Sequence, residues 1–252
     1  MTHSTPDIVT DWLAALEQRH LADLRVPEVT RALRALSSAY VQRRHKVAAG
    51  GALDTAGKRA AFALFYGPLH FLTVAHVVRA LGAHEPSPTT ILDLGCGTGV
   101  AGAAWASCAG GTSFITGLDR HPWAVEEARW TYRQLRLRGH ARAGDVTRVP
   151  PLPGGGAVVA AYVLNELPPT ARARVEEQLL AAPAANARAL IVEPIARSVT
   201  PWWEATAARV IAAGGRADEW RFDIDLPPML RLFDKAAGLD HRELKARSLY
   251  LG

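Results

Sequence analysis

Three carboxylates stand where apolar stretches of this chain give way to small or polar residues. Asp93 closes the run ILDL and opens Asp93-Leu94-Gly95-Cys96-Gly97-Thr98-Gly99; Asp119 closes FITGLD; Asp145 follows Gly144 after RGHARA. The glycines at 95, 97 and 99 let the backbone turn tightly and approach a bound molecule closely. A helix begun behind them offers N–H groups with no intrahelical partner. A carboxylate beside that turn suits an ammonium group and sits badly against a pyrophosphate. Asp119, at the end of the next strand, suits a pair of ribose hydroxyls. A fourth segment, AAYVLNELPP, Ala160–Pro169, brings Tyr162, Asn165 and Glu166 to a strand end. Asn165 can accept a hydrogen bond from a target amine or orient a nucleophile. Glu166 can act as a base or cap the helix that follows.

Other chemistries compete for these residues. Gly97, Gly99 and Gly102 fit the spacing G-x-G-x-x-G of dinucleotide sites. In such sites the glycines follow the strand directly, whereas here Asp93 stands ahead of them. There is no G-x-S-x-G elbow and no lysine behind the glycines to hold a triphosphate. His70 and His76 lack the HExxH pattern, and Cys96 and Cys108 are the only cysteines. Two cysteines cannot fill a structural zinc site alone, so no metal centre is expected.

The elements that must position these residues fall into two parts. Residues 1–85 read as helices. Asp7 can cap a first helix to about Leu24, with Trp12, Leu13 and Leu16 at helical spacing. Pro27 can open a second, with Val29, Leu33, Leu36, Tyr40 and Val41 on one face, ended by Gly50-Gly51. Gly57–Leu81 is a third, which Gly67-Pro68 should interrupt or kink. The Pro-rich stretch His84–Thr90 marks the junction to a second domain, residues 86–252. There, strands at Thr90–Leu94, Ser113–Leu118, before Asp145, Ala157–Val163 and Ala189–Val192 alternate with helices at Pro122–Arg138 and Thr170–Ala182. That alternation predicts an α/β fold with a doubly wound, mostly parallel sheet behind an N-terminal helical extension. Further on, Trp202–Ala213 and Pro228–Ala237 read as helices, Trp220–Leu226 as extended and His241–Leu249 as a strand.

Bulk properties set the frame. Of 252 residues, 49% are hydrophobic and 21% charged, enough for a full core and too few charges for a disordered chain. No apolar run reads as long and uninterrupted enough to cross a bilayer, so no membrane partner is expected. The first residues lack a basic stretch followed by an apolar one. The low cysteine count predicts a reducing, cytoplasmic setting. A formal net charge of +5 favours approach to a polyanion such as RNA, or reflects a solvated, Arg-rich surface.

The pattern Asp93–Gly99 resembles the first signature motif of class I S-adenosylmethionine (SAM)-dependent methyltransferases. That resemblance implies SAM as cofactor, held by Asp93, Gly95, Cys96, Gly97 and Gly99. It implies Asp119 on the ribose, with Arg120, Pro122 or Trp123 against the adenine. Gly144-Asp145-Val146 resembles the third-strand motif of the same family, in which the Asp side chain and the next backbone N–H meet the adenine. The stretch FALFYGPLHFLT, Phe62–Thr73, reads as a lid in which Tyr66 and His70 reach the cofactor or substrate, or as core packing. Base-amino methylating enzymes carry Asn or Asp, two prolines and an aromatic residue at the fourth strand end; Asn165-Glu166-Leu167-Pro168-Pro169 departs from that. Tyr162–Pro168 with Leu190–Pro194 resembles instead the methyltransferase-like proteins associated with the mitochondrial small ribosomal subunit and their bacterial relatives. It implies an RNA or ribosomal small-subunit partner, with Arg43–Lys46, Arg31, Arg34, Lys58 and Arg59 as phosphate contacts. The chain lacks the cysteine cluster of some members of that family. A small-molecule acceptor, and a non-catalytic ribosome-assembly factor that binds SAM, stay open. Methyl transfer puts Asn165, Tyr162 and Glu166 first among the candidate catalytic residues, with Glu193 and His70 as further bases.

Overall fold

The structure is a computed structural model that describes residues 5–42, 53–148 and 154–252. The chain divides into two compact units, residues 1–70 with 223–244, and residues 71–222 with 245–252.

The first unit is helical. Helix α1, Thr5–His20, buries Trp12 and Leu16; it ends four residues before the expected Leu24, with bends at 21–23. Helix α2, Val26–Gln42, buries Val29, Leu33 and Leu36, the predicted stripe. Its start is fixed by Glu28, whose carboxylate accepts from Arg25 N–H at 2.8 Å, a reach-back cap. Arg43–Lys46 and Gly50-Gly51 lie outside the described residues. Helix α3, Ala56–Ala61, opens on Thr55, whose hydroxyl accepts from Lys58 N–H.

A π-helical turn, Phe62–Tyr66, leads into α4, Gly67–Ala80. The α-helical pattern is interrupted just ahead of Gly67-Pro68, and the chain stays helical through the interruption. Proline lacks an N–H and its ring collides with the carbonyl four residues back. The widened turn, in which Gly67 N–H reaches Phe62 O, absorbs the misfit. The expectation about bilayer-length runs is also corrected: Ala56–Ala80 is long and apolar enough by composition to cross a membrane. Because 72% of its most apolar window is buried inside the protein, it is accounted for as a core helix. Residues 223–244 add α9, Pro228–Ala237, to this unit.

The second unit is a seven-stranded sheet. Its strands are β1 Thr90–Leu94, β2 Phe114–Asp119, β3 Arg138–Ala143, β4 Ala157–Ala161, β5 Arg188–Glu193, β6 Arg216–Asp223 and β7 Glu243–Leu251. The order is β3-β2-β1-β4-β5-β7-β6, with β1 to β5 parallel and β7 antiparallel to β5. β1, β4 and β5 read as near-continuous apolar runs because both faces are covered. Helices α5 (Val100–Cys108) and α6 (Pro122–Gln134) lie between β1, β2 and β3 in sequence, α7 (Pro169–Leu180) between β4 and β5, and α8 (Trp203–Ala212) after β5.

The expected junction at His84–Thr90 is not where the units divide. Residues 83–89 are stitched to the sheet unit: Trp105 Nε1 and Arg188 donate to Ala83 O, Arg188 to Pro86 O, Ser87 to Ala109 O and Ser113 to Pro88 O. A proline-rich segment thus serves as a strap, its lost donors replaced by side chains reaching in.

Candidate active site

All five parallel strands point their carboxyl ends to one edge, and β1 lies between β2 and β4. The loops after these strands hold most of the expected site residues together. In the turn after β1, Gly95, Gly97 and Gly99 have φ of 63°, 52° and 79°. These are left-handed values that side chains resist. Space is as decisive as angle: a Cβ on Gly95 would stand 2.3 Å from Val163 Cγ2, and one on Gly99 2.7 Å from Tyr132 Cε1. The turn is therefore pressed between the β4 loop and α6.

Asp93 braces this turn. It is buried, and its Oδ2 accepts from Gly102 N–H at 2.8 Å, one of the orphan donors in the first turn of α5. The expectation of a carboxylate waiting for an ammonium group is sharpened by this bond, since one oxygen already works inside the chain. Burial pushes the Asp93 pKa up to about 7; the Gly102 bond opposes the rise and the Asp119 charge adds to it. Asp119 is the second brace. Its Oδ2 accepts from Gly97 N–H at 2.9 Å and its Oδ1 from His121 N–H at 2.8 Å, so it clasps the β1 turn to the β2 turn. Cys96 is buried, its N–H bonded to Leu118 O. Burial, with the charges of Asp93 and Asp119, holds its thiol well above the usual range, so it packs and does not react.

Polar atoms buried on this edge without a partner among the described residues include the hydroxyl of Thr98 and Nδ1 of His121. Orphaned polar atoms beside a glycine cradle and two carboxylates fit a bound nucleoside with an ammonium group. Sequence reasoning passed over Thr98. Its place between two required glycines was the available signal.

At the end of β3, Asp145 is exposed and its Oδ1 accepts from Thr147 N–H at 2.9 Å and Thr147 Oγ1 at 2.8 Å. Those bonds hold its carboxyl below the ordinary range. The side chain closes its own turn, a competing use to the adenine contact that the motif implies. Val146 packs against the apolar cluster of β1, β4 and α7. Arg120 is exposed on the turn after β2.

The β4 end is built around Glu193. This residue of β5 is fully buried; its Oε1 accepts from Leu164 N–H at 2.9 Å and Asn165 N–H at 3.2 Å. Its Oε2 accepts from Asn165 Nδ2 at 2.5 Å. One carboxylate therefore caps the short 3-10 turn Leu164–Glu166 and grips its central side chain. Burial pushes the Glu193 pKa up to about 8 against those three bonds, and the nearby Glu166 charge adds to the rise. Tyr162 is held at φ 58°, a left-handed value for a bulky residue, with its N–H on Val192 O. Burial pushes its phenol well above the usual value, although a bond with the Thr73 side chain opposes this. Tyr162, Asn165 and Glu166 thus lie on the one loop after β4. The hydrogen-bond hub is Glu193, which sequence reasoning ranked below them.

Tyr66 belongs to the helical unit, where its hydroxyl pairs with Ser37 Oγ at 2.9 Å and its ring meets Phe62, Phe65 and His70. Burial pushes His70 down to about 3, so its imidazole is neutral.

Residues 91–182 match the methyltransferase domain family. That match makes SAM-dependent methyl transfer the chemistry of this domain. Among solved structures, a protein described as an O-methyltransferase of Nostoc punctiforme is 13% identical and aligns over 87% of this chain and 72% of its own, with a TM-score of 0.55. That likeness supports the Rossmann-like methyltransferase fold. Magnesium protoporphyrin IX methyltransferase of Synechocystis, solved with bound SAM, is 16% identical, with 91% and 97% covered and a TM-score of 0.48. A protein described as an RNA methyltransferase of Pyrococcus horikoshii is 13% identical, with 71% and 81% covered and a TM-score of 0.47. No curated protein sequence matches the methyltransferase chain.

Proposed function

We propose that this methyltransferase transfers the methyl group of SAM to a proton-bearing nucleophile in RNA, in the setting of the small ribosomal subunit. The observation that carries the acceptor chemistry is the Asn165–Glu193 pair. With its Nδ2 donating to Glu193, the Asn165 amide has its carbonyl oxygen left to accept from an N–H or O–H. SAM itself supplies the activated methyl and the leaving group.

What the chain supplies is position. The Gly95–Gly99 turn, Asp93 and Asp119 hold the nucleoside and its ammonium group. Asn165 orients the acceptor on the neighbouring strand end, where attack needs a separation of about 3–3.5 Å. An amine sheds its proton after transfer and needs no strong base; for a hydroxyl, Glu166 is the acceptor on the same turn. RNA is favoured by the positive formal charge of +5. The ribosomal setting is favoured by the resemblance of Tyr162–Pro168 and Leu190–Pro194.

The test is transfer of labelled methyl from SAM to total RNA and, separately, to a metabolite extract. Label in RNA, enriched in the small-subunit species, is the expected result. Label only in the metabolite fraction would replace RNA by a small molecule. SAM binding without labelled product from either would leave an assembly factor that does not turn over.

A further inference from the structure

The positive charge of this chain is not spread evenly. Residues 133–148 hold five arginines, Arg133, Arg136, Arg138, Arg142 and Arg148, against one acid, Asp145, a surplus of four in a chain whose formal net charge is +5. The segment covers the end of α6, the edge strand β3 and the turn behind it. Arg133, Arg136, Arg138 and Arg142 are exposed, and among the described residues none has an ion-pair partner.

Strand alternation sorts these residues onto faces. Ala141 is buried under α6: Arg129 donates to its carbonyl, and its Cβ lies beside Gly117 on the side where Tyr132 packs. Arg138, His140 and Arg142 therefore face the other way, at a two-residue repeat of about 6.6 Å. On β2 their register partners are Phe114, Thr116 and Leu118. Leu118 is sealed in the apolar cluster with Val175 and Leu179 of α7. Phe114 is not: it is 37% exposed, with its ring 5.5 Å from that of His140. The physical reason is that α7 covers the central strands, while the described part of the β3–β4 connection carries no helix to cover β2 and β3.

We propose that this open β2–β3 face is a docking surface for single-stranded RNA. Unpaired guanidinium groups spaced along an extended strand match successive phosphates, and guanidinium planes chelate phosphate oxygens in pairs. The exposed Phe114–His140 ring pair between them offers unstacked bases an aromatic platform. A lipid surface would need apolar side chains in number, and among the described residues Phe114 is the one large apolar side chain exposed there. The stripe runs parallel to β1 and β2 and ends, at Arg142, on the edge where Asp93 and Asp119 lie. A strand bound along it is led toward the cofactor edge. The proposal rests on RNA as the acceptor.

The test uses the full chain with a fluorescent single-stranded RNA of about 12 nucleotides. Arg138→Glu is compared with Arg221→Glu, an equal charge reversal at an exposed position of β6 on the opposite sheet edge. Arg138→Glu should weaken RNA binding about tenfold and reduce the slope of log affinity against log salt by about 0.7 or more. Arg221→Glu should stay within about threefold, and SAM affinity by calorimetry should be unchanged in both. Equal losses in the two variants would overturn the surface. So would binding of wild type to anionic phosphatidylserine vesicles that is stronger than binding to RNA and is lost in Arg138→Glu. Absence of SAM binding in wild type would instead defeat the functional reading, so the two failures are told apart.

Discussion

The turn after β1 and the turn after β4 do comparable work by different means. The first is assembled close to home: Asp93 braces Gly102 nine residues on, and the neighbouring strand β2 adds Asp119 and the Leu118 carbonyl. The second depends on a carboxylate 28 residues away, Glu193, for its shape. A locally built turn tolerates little change in its own residues. A remotely held turn should instead be sensitive to its anchor and forgiving of conservative changes there.

The largest effect is expected at Gly95. In Gly95→Ala the new Cβ would stand 2.3 Å from Val163 at a left-handed φ, so the two loops must separate. SAM binding should disappear in calorimetry, and the thermal midpoint should fall by an amount equivalent to about 2–4 kcal/mol. Near-normal SAM affinity would show that the cradle is looser than its packing implies.

Glu193 comes next. Glu193→Ala takes the acceptor from the buried Leu164 N–H, at about 1–3 kcal/mol, and from the part-buried Asn165 N–H. Glu193→Gln keeps an acceptor for both but faces Asn165 with an amide. Denaturant unfolding should show a large loss in Glu193→Ala and a small one in Glu193→Gln, while turnover should fall in both. Equal stability losses would mean that charge, not bond geometry, holds the β4 turn.

The smallest effect is a pH slope. Asp93 and Glu193 have folded-state values of about 7 and about 8, above their ordinary values near 4. The folded chain binds their protons more tightly than the unfolded chain does. Their contribution to stability is therefore full below pH 4 and is lost as pH rises through 7 and 8. Thermal midpoints should decline over that window, and Asp93→Asn should flatten the lower part. SAM affinity should move oppositely, rising as pH passes 7, because an ammonium group needs the ionised carboxylate. In Asp93→Asn that rise should vanish, with affinity lower by about 1.5–3 kcal/mol at pH 8. A wild type with affinity flat between pH 6 and pH 8 would remove Asp93 as the ammonium receptor.

The sequence by itself determined the parallel sheet and the β1 turn, because both rest on short-range rules. Apolar runs of strand length alternate with helical periods, and Asp93 with three spaced glycines restricts the backbone at that point. It also put Asn165 and Tyr162 at one strand end. Tertiary structure alone decided the rest. Gly67-Pro68 reads as a break, yet a widened turn carries the helix through it. His84–Thr90 reads as a linker, yet Trp105, Ser113 and Arg188 bind it to the sheet. Glu193 organises the β4 end because β5 pairs beside β4 in a register that no local pattern encodes. The arginines of 133–148 make a stripe only because β3 is an edge strand and the described part of the β3–β4 connection puts no helix over it. For Glu193 and for the His84–Thr90 strap, the role followed from which distant partner reached it, a quantity set by packing.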